Sequence, residues 1–241
     1  YFPVPDNKEP IITVATDPES TNTQIMIFYK HDANPDEIKL SQAGLIVNYV
    51  KSVASRMINE RFQEIVQKPN APFTSAYAYD GAYFVAKTKD AWTVVGGAAE
   101  DKVEDALVRE SERMKRFGFT ASEYERARTN LLTSYENAYN NRDKERTDSY
   151  TQEYVRHFTD SEAIPGIEYE YNMMNMIAPN IPVEAINQFV EQLIQDENMV
   201  VAITGPEKDG LTFPTSEEIL AVINGVKAEE IEAHQEEASD E

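Results

Sequence analysis

The chain contains no cysteine, which excludes disulfides, thiolate metal sites and cysteine catalysis and leaves the redox compartment open. Histidine is scarce as well: His31, His157 and His234 are the three in 241 residues. A helical zinc site of the H-E-x-x-H or H-x-x-E-H type needs two histidines four apart, because positions i and i+4 share a helix face. It also needs a Glu that reaches the metal-bound water. No two of these histidines lie that close, and Pro35 follows His31 by four residues. His157 has Asp160 and Glu162 downstream, but it falls at the end of a helical stretch, where an imidazole meets carbonyl ends. Nucleophile motifs are missing too. There is no G-x-S-x-G, and Ser55, Ser75 and Ser149 stand without a motif. Gly96-Gly97 stands alone, and residues 205–210 (GPEKDG) form a turn without the G-K-[ST] ending of a phosphate loop. Asp209-Gly210 lacks the alternating ligands of a calcium loop. No catalytic and no metal-ligating residue can be assigned in this chain.

Basic charge is in short supply. Forty-three acidic residues face 22 basic ones, a net charge of −21. Nucleic acid and anionic membranes are excluded as partners, since both need a basic face. No run approaches eighteen apolar residues, so nothing spans a membrane. The bland reading of the acidity is solubility, and the sharper one is a preference for basic peptides. No signal peptide is visible, and the chain opens YFPVPDNKEP without a methionine. Pro3, Pro5 and Pro10 suggest that residues 1–10 are an extended linker. Residues 228–241 carry seven acids and no Lys or Arg, which reads as an acidic hinge or tail. The folded part is expected over 11–227, as a fragment of something longer.

With 41% of the chain hydrophobic and 10% of it aromatic, the composition is globular. Residues 11–16 and 24–29 suit buried strands, separated by a bend at Asp17-Pro18-Glu19. Asn34-Pro35-Asp36-Glu37 starts a helix expected to run to about Val66, burying Ile38, Ile46, Tyr49, Val50, Val53, Met57, Phe62 and Ile65. Strands are expected at 73–79, 83–87 and 92–95, with Asp80-Gly81 as the hairpin turn between the first two. Helix returns over 101–117 and again from Ala121 to about Phe158. This last stretch should face the core with Tyr124, Leu131, Leu132, Tyr135, Ala138, Tyr150, Tyr154, Val155 and Phe158. Helices near 166–177 and 183–194, a buried strand over 199–204 and a helix starting at Thr215 complete the chain. The pattern is α+β: a two-layer roll, a largely antiparallel sheet with long helices packed on one face.

The corner at 113–132 (RMKRFGFTASEYERARTNLL) ends one helix and starts another within three residues. Gly118 sits where a helix end wants positive φ. Thr120 and Glu123 form a capping box, as do Thr215 and Glu218. This RFGFTxxExxRA wording resembles the corresponding corner in the pitrilysin/insulinase family of zinc metallopeptidases, which includes the mitochondrial processing peptidases. Similar likeness runs through 16–19 (TDPE), 56–65 (RMINERFQEI), 142–154 (RDKERTDSYTQEY), 165–171 (PGIEYEY) and 200–210 (VVAITGPEKDG). The segments look like the family's non-catalytic half-domain in bacterial secreted or periplasmic members.

The resemblance implies a processing-peptidase-like α/β domain, the second of an N-terminal half, packed behind a zinc-bearing catalytic domain. The family's inverted H-x-x-E-H motif and further Glu ligand have no counterpart here. No cofactor is therefore implied for this chain, and zinc belongs to the neighbouring domain. The family's substrate-holding Arg and Tyr, seven residues apart, match Val66 and Phe73, neither of which can donate to an oxyanion. The implied role is a structural, chamber-forming domain of a zinc endopeptidase, not itself an enzyme. Its partners would be other domains of the same polypeptide or a homologous subunit, and a peptide substrate. Periplasmic or extracellular location in a bacterium is implied. An inactive subunit of a two-chain peptidase and a stand-alone peptide-binding module are the alternatives.

Overall fold

In a computed structural model, residues 3–98, 103–144 and 147–236 are described, apart from the side chains of 98, 147–150 and 152. One five-stranded sheet has the order β1-β5-β2-β4-β3, built from β1 (Ile11–Asp17), β2 (Gln24–Asp32), β3 (Phe73–Ala82), β4 (Lys89–Ala98) and β5 (Met199–Pro206). Only β1 and β5 pair in parallel; every other neighbour is antiparallel. Alternation along each strand divides the sheet into two faces. The row Ala78–Val94–Ile27–Val201–Ile12 turns inward, and beside it the row Ala76–Gly96–Ile25–Ile203–Val14. This is the layered α+β roll that the sequence pattern predicts.

The helices are α1 (Asp36–Lys39), α2 (Gln42–Val66), α3 (Val103–Phe117), α4 (Ala121–Asn140), α5 (Thr147–Asp160), α6 (Ile167–Ile177), α7 (Val183–Leu193) and α8 (Ser216–Ala228), of which α2, α3, α7 and α8 pack on that inner face and α4 packs on α2 and α6. Trp92, Tyr49, Phe62, Phe73, Met57 and Leu107 are among the buried side chains between the layers. Each large apolar group removed from water contributes about 1.5–3 kcal/mol. Gly96 lets α3 approach the sheet closely, since a Cβ there would lie 2.7 Å from Leu107.

Both capping boxes form: the Thr120 and Thr215 hydroxyls accept from the amides of Glu123 and Glu218, whose carboxylates accept from the cap amides in return. Gly118 ends α3 with φ +65°. The paired charges of α3 meet, Arg109 with Asp105 at 2.8 Å and Arg116 with Glu112 at 3.2 Å.

Several expectations need correction. β1 is an edge strand, half exposed rather than buried. The helix expected from Asn34 to Val66 breaks at Leu40–Ser41, where the Ser41 hydroxyl donates to the Ile38 carbonyl and Gly44 packs against that same oxygen. Pro35 therefore caps α1 instead of opening it, and Ile38 and Ile46 are exposed. There is no strand over 83–87. Asp80 and Gly81 lie inside the β3–β4 ladder, opposite Trp92 and Ala91, and the chain reverses over 83–88. Asp80 stays in the strand because its carboxylate is buried against two cations rather than bonded to turn amides. The pattern from Ala121 to Phe158 is two helices joined by a 3-10 turn at Arg142–Lys144. α4 buries Tyr124 and Leu131, but on α5 Tyr154, Val155 and Phe158 are exposed. Residues 101–102 and the Tyr150 side chain, both part of helix or core expectations, lie outside the described residues, as do residues 1–2 and 237–241.

The segment before β1 is laid against the sheet. The Asn7 amide donates to Asn198 Oδ1 (3.0 Å), and the Asn7 side chain donates to the Met199 carbonyl (2.9 Å). The Lys30 ammonium reaches the Pro5 carbonyl at 2.8 Å.

Candidate functional site

The outer face of the sheet carries no helix among the described residues, but it is open only at its margins: Tyr77, Tyr79 and Ile11 are exposed, while Phe28, Thr93, Val95 and Val200 between them are buried. Tyr79, Thr93, Phe28, Val200 and Ile11 form one row across all five strands, and Tyr77, Val95, Met26, Ala202 and Thr13 form the next. Directly opposed side chains lie about 4.5–5.5 Å apart, so each row is a continuous surface. Tyr77 and Tyr79 are 49% and 44% exposed, stacked with ring centroids 6.2 Å apart and planes at 16°. At the far end Tyr83 and Phe84, from the β3–β4 turn, fold over Phe28 with both centroids 5.4 Å from its ring. Such a surface offers flat π faces and phenolic hydroxyls, suited to side chains of an extended peptide.

The sheet's two edges differ. On β3, Asn59 of α2 takes both backbone groups of Ala78: its Oδ1 accepts from the amide at 2.7 Å and its Nδ2 donates to the carbonyl at 3.0 Å. That edge is closed at its centre. No strand among the described residues pairs with the outer side of β1.

Beneath the β3–β4 end lies a charge cluster that sequence reasoning missed. The Asp80 carboxylate, fully buried, meets His31 Nε2 at 2.7 Å and the Lys51 ammonium, which also reaches Asp90 at 3.2 Å. Burial, the largest single influence, lowers the His31 pKa, but the hydrogen bond and charge of Asp80 together with the bond to the Asp32 carbonyl raise it overall. Lys51 is likewise raised against its own burial by Asp80 and Asp90. Burial pushes Asp80 up, and His31 and Lys51 bring it below the ordinary carboxylate value. A three-residue-type match over 31, 51 and 80 has no sequence spacing, so only strand register reveals it. A second buried pair, Arg61 with Glu123, sits under the Gly118 corner.

The three histidines do not converge. His31 is held by Asp80; His157 ends α5 with Nδ1 at 2.5 Å from the Glu162 carbonyl; His234 lies beside Glu64 and Glu123. Among the described residues no group of three or more Asp, Glu, His or Cys side chains could hold a metal ion, so the donor set does not fit zinc. Val66 is the last residue of α2 and packs against the core, and Phe73 is buried edge-on to Phe62 at 5.8 Å. No helix among the described residues is long and apolar enough to cross a membrane.

Comparison with known proteins supplies the context. No protein-family model matches the chain. A zinc protease PQQL-like protein of Arabidopsis thaliana is 23% identical over 234 residues, 95% of this chain and 21% of that protein. The periplasmic protease PqqL of Escherichia coli superposes with a TM-score of 0.85 at 16% identity, covering 98% of this chain and 26% of that one. A peptidase M16 inactive domain from Pseudomonas fluorescens superposes at 0.55 with 15% identity, covering 87% and 46%. The chain thus spans about a fifth to a quarter of the first two proteins. The chain is similar in sequence along nearly its whole length to a zinc protease PQQL-like protein, and it shares its fold with part of the E. coli periplasmic protease.

Proposed function

We propose that this chain is a non-catalytic, chamber-forming domain of a larger zinc-dependent endopeptidase. The observation that carries the reading is the helix-free sheet face, with its stacked Tyr77 and Tyr79 and its cross-strand apolar rows. The exposed rings of Tyr77 and Tyr79 offer π faces to unfolded peptide without demanding a particular sequence. The unpaired edge of β1 is the place where a peptide could add as a strand. Zinc and its activated water belong to a neighbouring domain, and no step of hydrolysis is assigned to residues of this chain. Partners are other domains of the same polypeptide, and the parent protein is periplasmic or extracellular. That the E. coli protein is a periplasmic protease supports this location.

The test is hydrolysis of a mixed fluorogenic peptide library by the chain with added zinc, with and without chelator. No chelator-sensitive turnover is expected, and such turnover overturns the reading. Binding of a fluorescent unfolded peptide, followed by anisotropy, should weaken several-fold in a Tyr77→Ser/Tyr79→Ser variant. Unchanged binding removes the sheet face as the contact surface.

A further inference from the structure

Residues 228–236, acidic in sequence, are bound down along the α3–α4 corner. Arg109 of α3 pairs with the Glu229 carboxylate. Arg116 donates to the carbonyls of Glu229 (2.8 Å) and Lys227 (2.7 Å), and Arg113 to that of Glu232 (2.9 Å). Ile231 is buried in the main core. At the far end Glu236 accepts from the Thr120 and Ser122 hydroxyls, each at 2.6 Å, and from Arg126 at 3.0 Å. Its carboxylate thus sits at the N-terminus of α4, where a helix favours negative charge.

His234 lies between these anchors. Its side chain is 14% exposed, with Nε2 at 3.3 Å from a Glu64 oxygen and 3.9 Å from one of Glu123. Both Glu123 oxygens are already taken: Oε1 by Arg61 Nε, Oε2 by Arg61 Nη2 and the Thr120 amide. Arg61 of α2 and Arg113 of α3 face the same ring as cations, with Glu64 of α2 and Glu123 of α4 opposing them. Burial, then Arg61, disfavours a proton on His234, and Glu123 and Glu64 only partly offset this. The carboxylates on the segment itself, Glu229, Glu230, Glu232 and Glu236, do not pair with the imidazole; its ion-pair partners are Glu64 and Glu123.

We propose that residues 229–236 form a detachable strap, clamped on the α3–α4 corner while His234 is neutral and released when His234 takes a proton. A released strap returns the imidazole to water, where its ordinary value of about 6.5 applies, so lowering the pH below 6.5 favours release. Release withdraws Ile231 from its slot and frees Arg109, Arg116 and Arg126 from their strap partners. The device is independent of any peptidase role.

The test uses the full chain with 13C-methyl-labelled isoleucine, followed by NMR between pH 7.5 and 5.5. The Ile231 methyl should move toward the position of an exposed isoleucine as pH falls, while Ile219 and Ile223 of α8 stay fixed. The docked-to-released ratio should change by up to about tenfold per pH unit, the limit for one proton. His234→Gln should abolish the pH response. Glu236→Gln should favour release at every pH and keep the response. The proposal is overturned if Ile231 is unmoved at pH 5.5, if His234→Gln responds like the parent chain, or if Ile219 and Ile223 move together with Ile231.

Discussion

Arg61 of α2 and Glu123 of α4 form a two-pronged ion pair sealed from water. Arg61 Nε donates to Glu123 Oε1 at 2.6 Å and Nη2 to Oε2 at 2.9 Å, with both side chains nearly inaccessible. The same guanidinium lies over the Phe119 ring at 4.7 Å and donates to the Gly118 carbonyl at 2.9 Å. Glu123 meanwhile closes the capping box of α4. One carboxylate therefore ties a helix start to the middle of another helix, and Arg61 ties both to the α3 terminus.

Removing the cation should be costly. Arg61→Ala leaves Glu123 charged and buried, for which about 3–5 kcal/mol of destabilisation is expected. The check is the midpoint of urea unfolding. A loss below about 1 kcal/mol would mean that water reaches Glu123 readily.

The capping half of this corner is legible in the sequence, because Thr120, Glu123 and Gly118 act within a few residues of one another. Arg61 is not, since its partner lies 62 positions away and nothing local marks it as buried. Asp80 misleads for the same reason. Next to Gly81 it reads as a turn, and only the register of β2, β3 and α2 brings His31 and Lys51 to it. The apolar residues of α5 continue the helical period of α4, so the break at Arg142–Lys144 and the outward turn of Phe158 are invisible to periodicity. The helix-free sheet face was legible only as strand alternation. Its two cross-strand rows depend on which strands become neighbours.

Gly118 should tolerate no side chain. Its φ of +65° strains any L-residue, and a Cβ would lie 2.3 Å from Asn187 Cγ. Asn187 is itself committed, accepting from the Phe119 amide at 2.8 Å and donating to its carbonyl at 3.1 Å. Gly118→Ala is expected to cost about 1–3 kcal/mol from backbone strain and more as Asn187 is displaced. Asn187→Gly should recover part of that loss in the double variant, measured as a non-additive unfolding free energy.

Stability around neutral pH should depend on His31. Its folded-state pKa is raised from 6.5, so the folded protein binds this proton more tightly than the unfolded chain. The stabilisation is complete below about 6.5 and is lost as pH rises through the folded value. His31→Gln should therefore be more damaging at pH 5.5 than at pH 8.5, read as the difference in urea midpoints from the parent chain. Equal differences at both pH values would show that the Asp80 contact does not depend on the proton. His234 acts in the opposite sense, and comparing the two single variants separates them.

Phe158 should contribute almost nothing to folding. At 89% exposure it makes little contact with the core, so Phe158→Ser is expected within about 0.5 kcal/mol of the parent chain. Phe62→Ala, fully buried against Phe73, should cost about 3–5 kcal/mol. The contrast tests the division between α4 and α5 directly. Were the two helices one continuous core-facing rod, Phe158 would lie on the buried stripe and its loss would resemble that of a core aromatic. A cost for Phe158→Ser above about 2 kcal/mol would therefore place α5 against the core and overturn its outward-facing arrangement.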